Sequence, residues 1–284
     1  MSIIASPNWV GQTDPGILIK AGYEFSIEVF QPTTVVLLLG IHPSREHLLM
    51  QYDAIETFPE APGDHFIDTY GNRCSRFRLQ PGTTVFRSVG LIRDSGLPDF
   101  KQFGARQHGV DELPPDVLPF LYGSRYCDTD LLSNDAWNLF GWTNPGFGRV
   151  QTICDWVNAN VQFGYQFARN TRTASETFRE RRGVCRDFAH LSIALCRAMN
   201  IPARYVNGYL GDIAIEPNPS PMDFNAWFEA YLDGRWHLFD ARHNQPRVGR
   251  IPIAKGRDAA DVAMITTFGP HILKSFEVWT EQVA

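Results

Sequence analysis

Patterns of apolar and polar residues typical of β-strands recur over the first hundred or so positions of the chain. The stretch YEFSIEV, residues 23–29, has an apolar side chain at every second position, which is typical of a strand with one buried face. Residues 35–39 form a short uninterrupted apolar run, as in a strand covered on both faces. Gly71 and Asn72 lie between two further strand-like segments and predict a hairpin. We therefore expect a β-sandwich-like N-terminal domain over residues 1–105.

Helical spacing of apolar residues begins after a polar, proline-containing stretch at residues 104–116. Apolar residues recur at helix spacing over residues 150–161, and residues 173–176, TASE, have the form of a capping box. Residues 185–199 carry two apolar stripes, so this helix is expected to be buried. Asn200, followed by a proline, is expected to end it.

The stretch DFNAWFEAYLDGRWHLFDARHN predicts two antiparallel strands joined at Asp233 and Gly234, the usual pair for a two-residue turn. Counting outward from this turn puts Trp227 opposite Asp240. Two residues further out, Asn225 is diagonal to Asp240 on the same face. Together with the helices, this hairpin predicts an α+β core domain over residues 106–284.

Cys185 is expected at the start of the buried helix, directly after Arg182-Gly183-Val184. The unpaired N–H groups and the dipole of a helix start stabilise a thiolate, and Arg181, Arg182 and Arg186 are expected to add positive charge nearby. This environment predicts a nucleophilic thiol with a lowered pKa. The alternative is that Cys185 is a small apolar core residue, like Cys196 on the same helix.

The histidines differ in their expected positions relative to Cys185. His190 is five residues along the same helix, a rotation of about 140°, so the two side chains diverge. His237 is expected on the other face of the hairpin, about 16 Å along the strand from position 225, as an ordinary half-exposed residue. His243 nominally points to the wrong face as well, although a single-residue bulge would turn it inward. No histidine spacing suggests a metal site or a cofactor.

Two stretches resemble the transglutaminase-like superfamily, in particular its bacterial cysteine proteases. RRGVCRDFAHLSIALCRAMNIPARYVNGYL is similar to the cysteine helix and the following strand, and NAWFEAYLDGRWHLFDARHN is similar to the histidine and aspartate strands. The resemblance implies a papain-like α+β core with a Cys–His–Asp triad for acyl transfer to water or to an amine. It implies that Cys185 is the nucleophile and Asp240 the orienting acid, while Asn225 stands where the family has its catalytic histidine. An amide cannot accept a proton from a thiol.

Two functions remain open on this basis. The first is a cysteine-dependent amide hydrolase or acyl transferase acting on a peptide or protein, with His243 replacing the missing base. The second is a catalytically inactive pseudoenzyme that binds peptide or protein in the same groove. A redox-active thiol protein is a weaker third possibility, because no second cysteine stands at CxxC spacing.

Composition and charge restrict the classes of binding partner and the cellular location that we expect. The 284 residues carry a formal net charge of −5 with a pI near 5.9 and no basic run, which argues against nucleic acid as a partner. No apolar stretch approaches the roughly 20 residues of a membrane-spanning helix, and residues 1–14 do not resemble a signal peptide. Five cysteines without CxxC spacing predict free thiols. We expect a cytoplasmic protein.

Overall fold

The computed structural model of the protein describes residues 16–219 and 221–284. Residues 1–14, for which the sequence predicts no signal peptide, lie outside the described residues. Among the described residues no helix combines the length and the apolarity that crossing a membrane requires.

The N-terminal part of the chain is built from strands, as its alternating pattern predicts. These strands are, in chain order, β1 (Ile17–Val29), β2 (Thr33–Leu37), β3 (Leu49–Gln51), β4 (Glu56–Phe58), β5 (Gly63–Ile67), β6 (Arg73–Leu79) and β7 (Gly82–Asp94). Phe25 of β1 stacks on Phe86 of β7, with ring centroids 4.9 Å apart. Phe77 of β6 contacts the same Phe86 ring from the second sheet, with centroids 5.4 Å apart. Aromatic packing therefore joins the two sheets.

Helices and further strands follow in the core. They are α1 (Ser133–Phe140), α2 (Phe147–Asn160), β8 (Gln162–Phe163), α3 (Ala174–Glu180), β9 (Arg182–Gly183), α4 (Cys185–Ala198), β10 (Ala203–Tyr209), β11 (Asn225–Leu232), β12 (Arg235–Phe239), β13 (Ile251–Gly256), β14 (Ile265–Thr267) and β15 (His271–Gln282). Short 3-10 helices span Pro43–Leu48, Val110–Glu112, Leu118–Phe120, Thr129–Leu132 and Tyr165–Phe167. Helices packed on an antiparallel sheet confirm the predicted α+β class.

The strands form three main sheets and one small one. The first sheet has the order β15-β1-β7-β3, with β4 also paired to β7, and the second has the order β14-β2-β6-β5. The core sheet has the order β12-β11-β10-β13, and β8 and β9 form a parallel pair. Helix α4 lies against β10 and β11, and the other three helices pack around α4.

The C-terminal strands return to the N-terminal sheets. β15 pairs antiparallel with β1 from Ile19↔Gln282 to Val29↔His271, and β14 pairs with β2. The sequence assigns these strands to a core domain over residues 106–284. That division stays a prediction, but the last strands complete the sheets of the first part of the chain. Alternation along a strand does not reveal which distant strand it will pair with.

Local signals in the core give the expected structures. The Thr173 hydroxyl accepts from the backbone N–H of Glu176, and the Glu176 carboxylate accepts from the Thr173 N–H over 2.9 Å, which confirms the capping box at the start of α3. Asn200 follows the last turn of α4 with a left-handed φ of 60°. Asp233 and Gly234 both have positive φ, and the hairpin register begins at Leu232↔Arg235 as predicted.

The outer half of the hairpin differs from the prediction. The ladder between β11 and β12 ends at Phe228↔Phe239, so Trp227 and Asp240 are not paired in it. The chain turns after Phe239, because the Asp240 side chain accepts the backbone N–H groups of the two residues 242 and 243. The backbone carbonyl of Asp240 also accepts from Asn244 over 2.8 Å. A turn at residues 240–244 therefore replaces the last strand pairs.

Candidate active site

Asp187 fixes the start of α4 and with it the position of Cys185. Val184 precedes the helix, and its backbone N–H donates to the Asp187 carboxylate over 2.9 Å. The same carboxylate oxygen accepts from Nη1 of Arg172 over 3.0 Å. Gly183 leaves room for this carboxylate, because a Cβ at that position would lie 2.6 Å from the Asp187 side chain. Cys185 therefore lies in the first turn of the buried helix, as the sequence predicts.

The surroundings of Cys185 favour the neutral thiol. Cys185 is half-buried, whereas the other four cysteines are buried, and all five are free. Burial raises the pKa of the Cys185 thiol to about 11, against the lowering effect of the Arg242 guanidinium, and the Asp223 carboxylate raises it further. The sequence predicts a lowered pKa, and that expectation is wrong because the desolvation of the thiol outweighs the nearby positive charge.

The positive charge next to the thiol does not come from the expected arginines. Arg181 and Arg182 lie over aromatic rings, and Arg186 donates to a backbone carbonyl. Arg242 is the charged side chain with the largest lowering effect on the Cys185 pKa. Since Arg242 follows a strand some 57 positions later in the chain, local sequence around the cysteine gives no sign of it.

His243 is held on Asp240. The Nδ1 atom of His243 lies 2.8 Å from Oδ2 of Asp240, and both side chains are largely buried. Because the carboxylate accepts the Nδ1 proton, Nε2 of the ring carries the lone pair. The Nη1 atom of Arg242 contacts this Nε2. The arrangement gives an oriented imidazole in the tautomer that a general base needs.

The Asp240 carboxylate is ionised and fully engaged. Its Oδ1 accepts from the backbone N–H groups of Arg242 and His243 over 3.0 and 3.1 Å. Its Oδ2 accepts from Nη2 of Arg250 over 2.7 Å in addition to His243. Burial raises the pKa of Asp240, but Arg250 and His243 outweigh it and hold the pKa well below its usual range. For His243, burial lowers the pKa below its ordinary value although Asp240 raises it, so the imidazole is neutral at neutral pH.

The inward position of His243 has a different cause from the one considered from the sequence. The turn at residues 240–244, and no bulge in a continuing strand, brings the imidazole back onto the carboxylate. A spacing of three residues allows this contact within one turn, so the segment DARH, residues 240–243, could have predicted the Asp240–His243 pair from the sequence. Arg250, by contrast, lies just before β13, and its contact with Asp240 depends on the tertiary fold.

Asn225 stands beside this pair at the first residue of β11. Its Nδ2 donates to the backbone carbonyl of Asp223 over 3.4 Å. Asn225 lines a small cavity of about 60 Å³ together with Tyr165, Asp223, Arg242 and His243. The next residue along the strand, Ala226, directs its backbone N–H toward the Cys185 sulfur. The cavity thus brings Asn225 and His243 together, and the strand that carries Asn225 reaches the Cys185 sulfur through the neighbouring Ala226.

The remaining histidines considered in the sequence are core residues. His190 is fully buried between the rings of Tyr126 and Tyr205, and its Nε2 accepts from the backbone N–H of Ala259. His237 is buried rather than half-exposed, with its Nε2 3.1 Å from a backbone carbonyl. Within residues 16–219 and 221–284, no group of three or more His, Cys, Asp or Glu side chains could hold a metal ion.

These features define an α+β protein with a cysteine at the start of a buried helix and a His–Asp pair beside the neighbouring sheet. The model of the transglutaminase-like superfamily matches residues 137–241. The crystal structure titled "a Putative Cysteine Protease from Cytophaga hutchinsonii" is 31% identical, with a TM-score of 0.81, over 95% of this chain and 91% of that chain. The chain belongs to the transglutaminase-like superfamily.

Curated relatives share a shorter stretch. The uncharacterized protein ML0607 of Mycobacterium leprae is 38% identical over 84 residues, which cover 29% of this chain and 30% of the relative. The uncharacterized protein Mb2599c of Mycobacterium bovis is 37% identical over 100 residues, which cover 31% of each. The chain therefore spans about a third of the length of the curated relatives it matches.

Proposed function

We propose that the protein is a cysteine-dependent amide hydrolase or acyl transferase that acts on a peptide or protein. In this proposal Cys185 is the nucleophile, His243 the general base and Asp240 the group that orients the base. The observation that carries it is the 2.8 Å contact between His243 Nδ1 and Asp240 Oδ2, at the cavity that Asn225 also lines. Triads are defined by geometry and roles, so a base three residues after the acid satisfies the same chemistry as one on the adjacent strand.

The reaction would proceed by general-base attack. His243 Nε2 takes the proton from the Cys185 sulfur while the sulfur bonds to the carbonyl carbon of the substrate, and the carbonyl electrons move to oxygen. The N–H groups of the first turn of α4 stabilise this oxyanion. When the carbon–nitrogen bond breaks, Nε2 returns the proton to the departing amine, which leaves a thioester. Water or a second amine then attacks the thioester and releases the thiol.

The pKa values set the order of these events. With the thiol pKa at about 11 and the His243 pKa below its ordinary value, the proton rests on sulfur at neutral pH. Proton transfer therefore accompanies the attack and does not precede it as a stable ion pair. His243 accepts a proton only when it is neutral, so activity is expected to fall as the pH drops through its pKa, below the usual value of about 6.5.

The test is turnover of p-nitrophenyl esters and peptide amides by the unaltered protein and by four variants. His243→Ala and Cys185→Ala should each lower kcat by about 10⁴- to 10⁶-fold, as losses within a triad do. Asn225→Ala, at the same cavity, is the matched control and should retain most of the activity. Asn225→His should not raise kcat, because the Asp240 carboxylate already accepts a hydrogen bond from His243.

The opposite results have equally clear meanings. If His243→Ala leaves kcat unchanged, His243 is not the base and the proposal fails. If the unaltered protein turns over none of the substrates while Asn225→His does, the protein is a pseudoenzyme that lacks its base. Circular dichroism and the Tm of each variant separate a lost side chain from a lost fold.

A further inference from the structure

Arg242 holds a positive charge beside Cys185 without an acidic partner among residues 16–219 and 221–284. Three buried arginines of the described chain are paired with carboxylates: Arg172 with Asp187, Arg247 with Asp212, and Arg250 with both Asp99 and Asp240. The polar contact of Arg242 in the described chain is instead its Nη1 on Nε2 of His243. A guanidinium bound to a neutral ring nitrogen has its charge uncompensated.

The guanidinium is held in place by an aromatic ring. Its Cζ lies 4.0 Å from the centroid of the Phe163 ring, a cation–π contact. The side chain is half-buried and lines the cavity of about 60 Å³ with Asn225 and His243. Its charge also acts on the thiol, where it opposes the effect of burial. Arg242 therefore faces the nucleophile, the base and the open cavity at once.

We propose that Arg242 is the anchor of an anion subsite that binds a carboxylate of the acyl substrate next to the bond that is cleaved. This inference rests on the proposed function of Cys185 and adds the substrate class, acyl groups that carry an acidic side chain or an α-carboxylate close to the reacting carbonyl. A planar guanidinium stacked on a ring presents two N–H groups to a carboxylate, which is a stronger pairing than one N–H on an imidazole.

Binding at this subsite also bears on the base. While Arg242 donates to Nε2, the lone pair that would take the thiol proton is occupied. A carboxylate that draws the guanidinium toward itself leaves Nε2 free to accept that proton. An anionic substrate thus releases the base that receives the thiol proton, whereas a neutral substrate leaves it covered. Asp223 lines the same cavity, and its negative charge repels anions, which reduces the preference of the site for an anionic over a neutral substrate.

Alkylation of Cys185 measures the subsite without any substrate. Iodoacetate and iodoacetamide react with the same sulfur and differ in charge, so the ratio of their rates reports the local potential and cancels changes in thiol pKa. Arg242→Gln should lower the iodoacetate-to-iodoacetamide ratio roughly three- to tenfold, the order of effect expected from removing one nearby charge in a partly solvated site. Arg242→Lys should keep most of the ratio, and Asp223→Asn should raise it.

Arg182→Gln is the matched control. Arg182 is an exposed arginine that pairs with Glu180, so its substitution should leave the iodoacetate-to-iodoacetamide ratio unchanged. Added salt should shrink the ratio of the unaltered protein and barely affect Arg242→Gln. An unchanged ratio in a folded Arg242→Gln, or an equal loss in Arg182→Gln, overturns the subsite. If the ratio depends on Arg242 but the protein shows no turnover, the anion subsite is supported and the proposed enzyme function is contradicted. The two failures are therefore distinguishable.

Discussion

Raising the pH from 7 to 10 is expected to accelerate the alkylation of Cys185 by iodoacetamide without reaching a plateau. The reacting species is the thiolate, so the rate follows its fraction. With a pKa of about 11, roughly one molecule in 10⁴ carries the thiolate at pH 7, compared with about 3% for a free thiol of pKa about 8.5. This difference in pKa corresponds to a rate roughly 300-fold lower than that of a free thiol.

The assay follows incorporation of iodoacetamide into the native protein by mass spectrometry, with glutathione as the free-thiol reference. Cys185→Ser identifies the reacting site, and the four buried cysteines should stay unmodified while the protein is folded. Tryptophan fluorescence at each pH shows that the fold persists. An inflection at or below pH 8.5 would refute the reasoning, because it would mean that the helix start and Arg242 outweigh the burial of the thiol.

Two further changes test the supports of the site. Gly183→Ala should destabilise the protein by about 1–3 kcal/mol in a denaturant titration, because the new Cβ would lie 2.6 Å from the Asp187 side chain. Gly148→Ala is the control. A Cβ at position 148 would meet no neighbouring group within 4 Å, so this change should be neutral or stabilising. Arg250→Met removes a partner of buried Asp240 and should cost about 3–5 kcal/mol. Since the pKa of Asp240 is lowered in the folded protein, its contribution to stability is present above pH 4 and is lost on acidification. The free energy of unfolding of Arg250→Met should therefore fall less between pH 5 and pH 3 than that of the unaltered protein, and an equal fall would contradict the role given to Arg250.

The structures that the sequence predicts well depend on neighbouring residues alone. The capping box at Thr173, the end of α4 at Asn200 and the turn at Asp233 each follow from side-chain and backbone preferences over four or five positions. The position of Cys185 at a helix start follows in the same way, because a glycine two residues earlier and an apolar stripe after it are both visible in the sequence. Physical preferences of short segments were sufficient for these elements.

What the sequence does not predict depends on contacts between distant segments. β15 returns to pair with β1 across the whole chain, and its own pattern contains nothing that selects this partner. The raised pKa of Cys185 results from its burial in the fold, and the charges of Arg242 and Asp223 that also act on the thiol belong to segments distant in the sequence. Arg250 reaches Asp240 only because β13 places it there.

The resemblance implies a histidine at position 225, and an asparagine there is compatible with the His–Asp pair of this chain because of how each group is anchored. The ladder between β11 and β12 stops at Phe228↔Phe239, so a side chain at position 225 is held by β10 and has no register with the acid. His243 is held by a turn whose backbone N–H groups converge on Asp240 itself. A base fixed over three residues keeps its orientation even if the strands slide, whereas a base on the opposite strand depends on their register. The proposed function therefore keeps the acid position that the resemblance implies and takes its base from the segment next to that carboxylate.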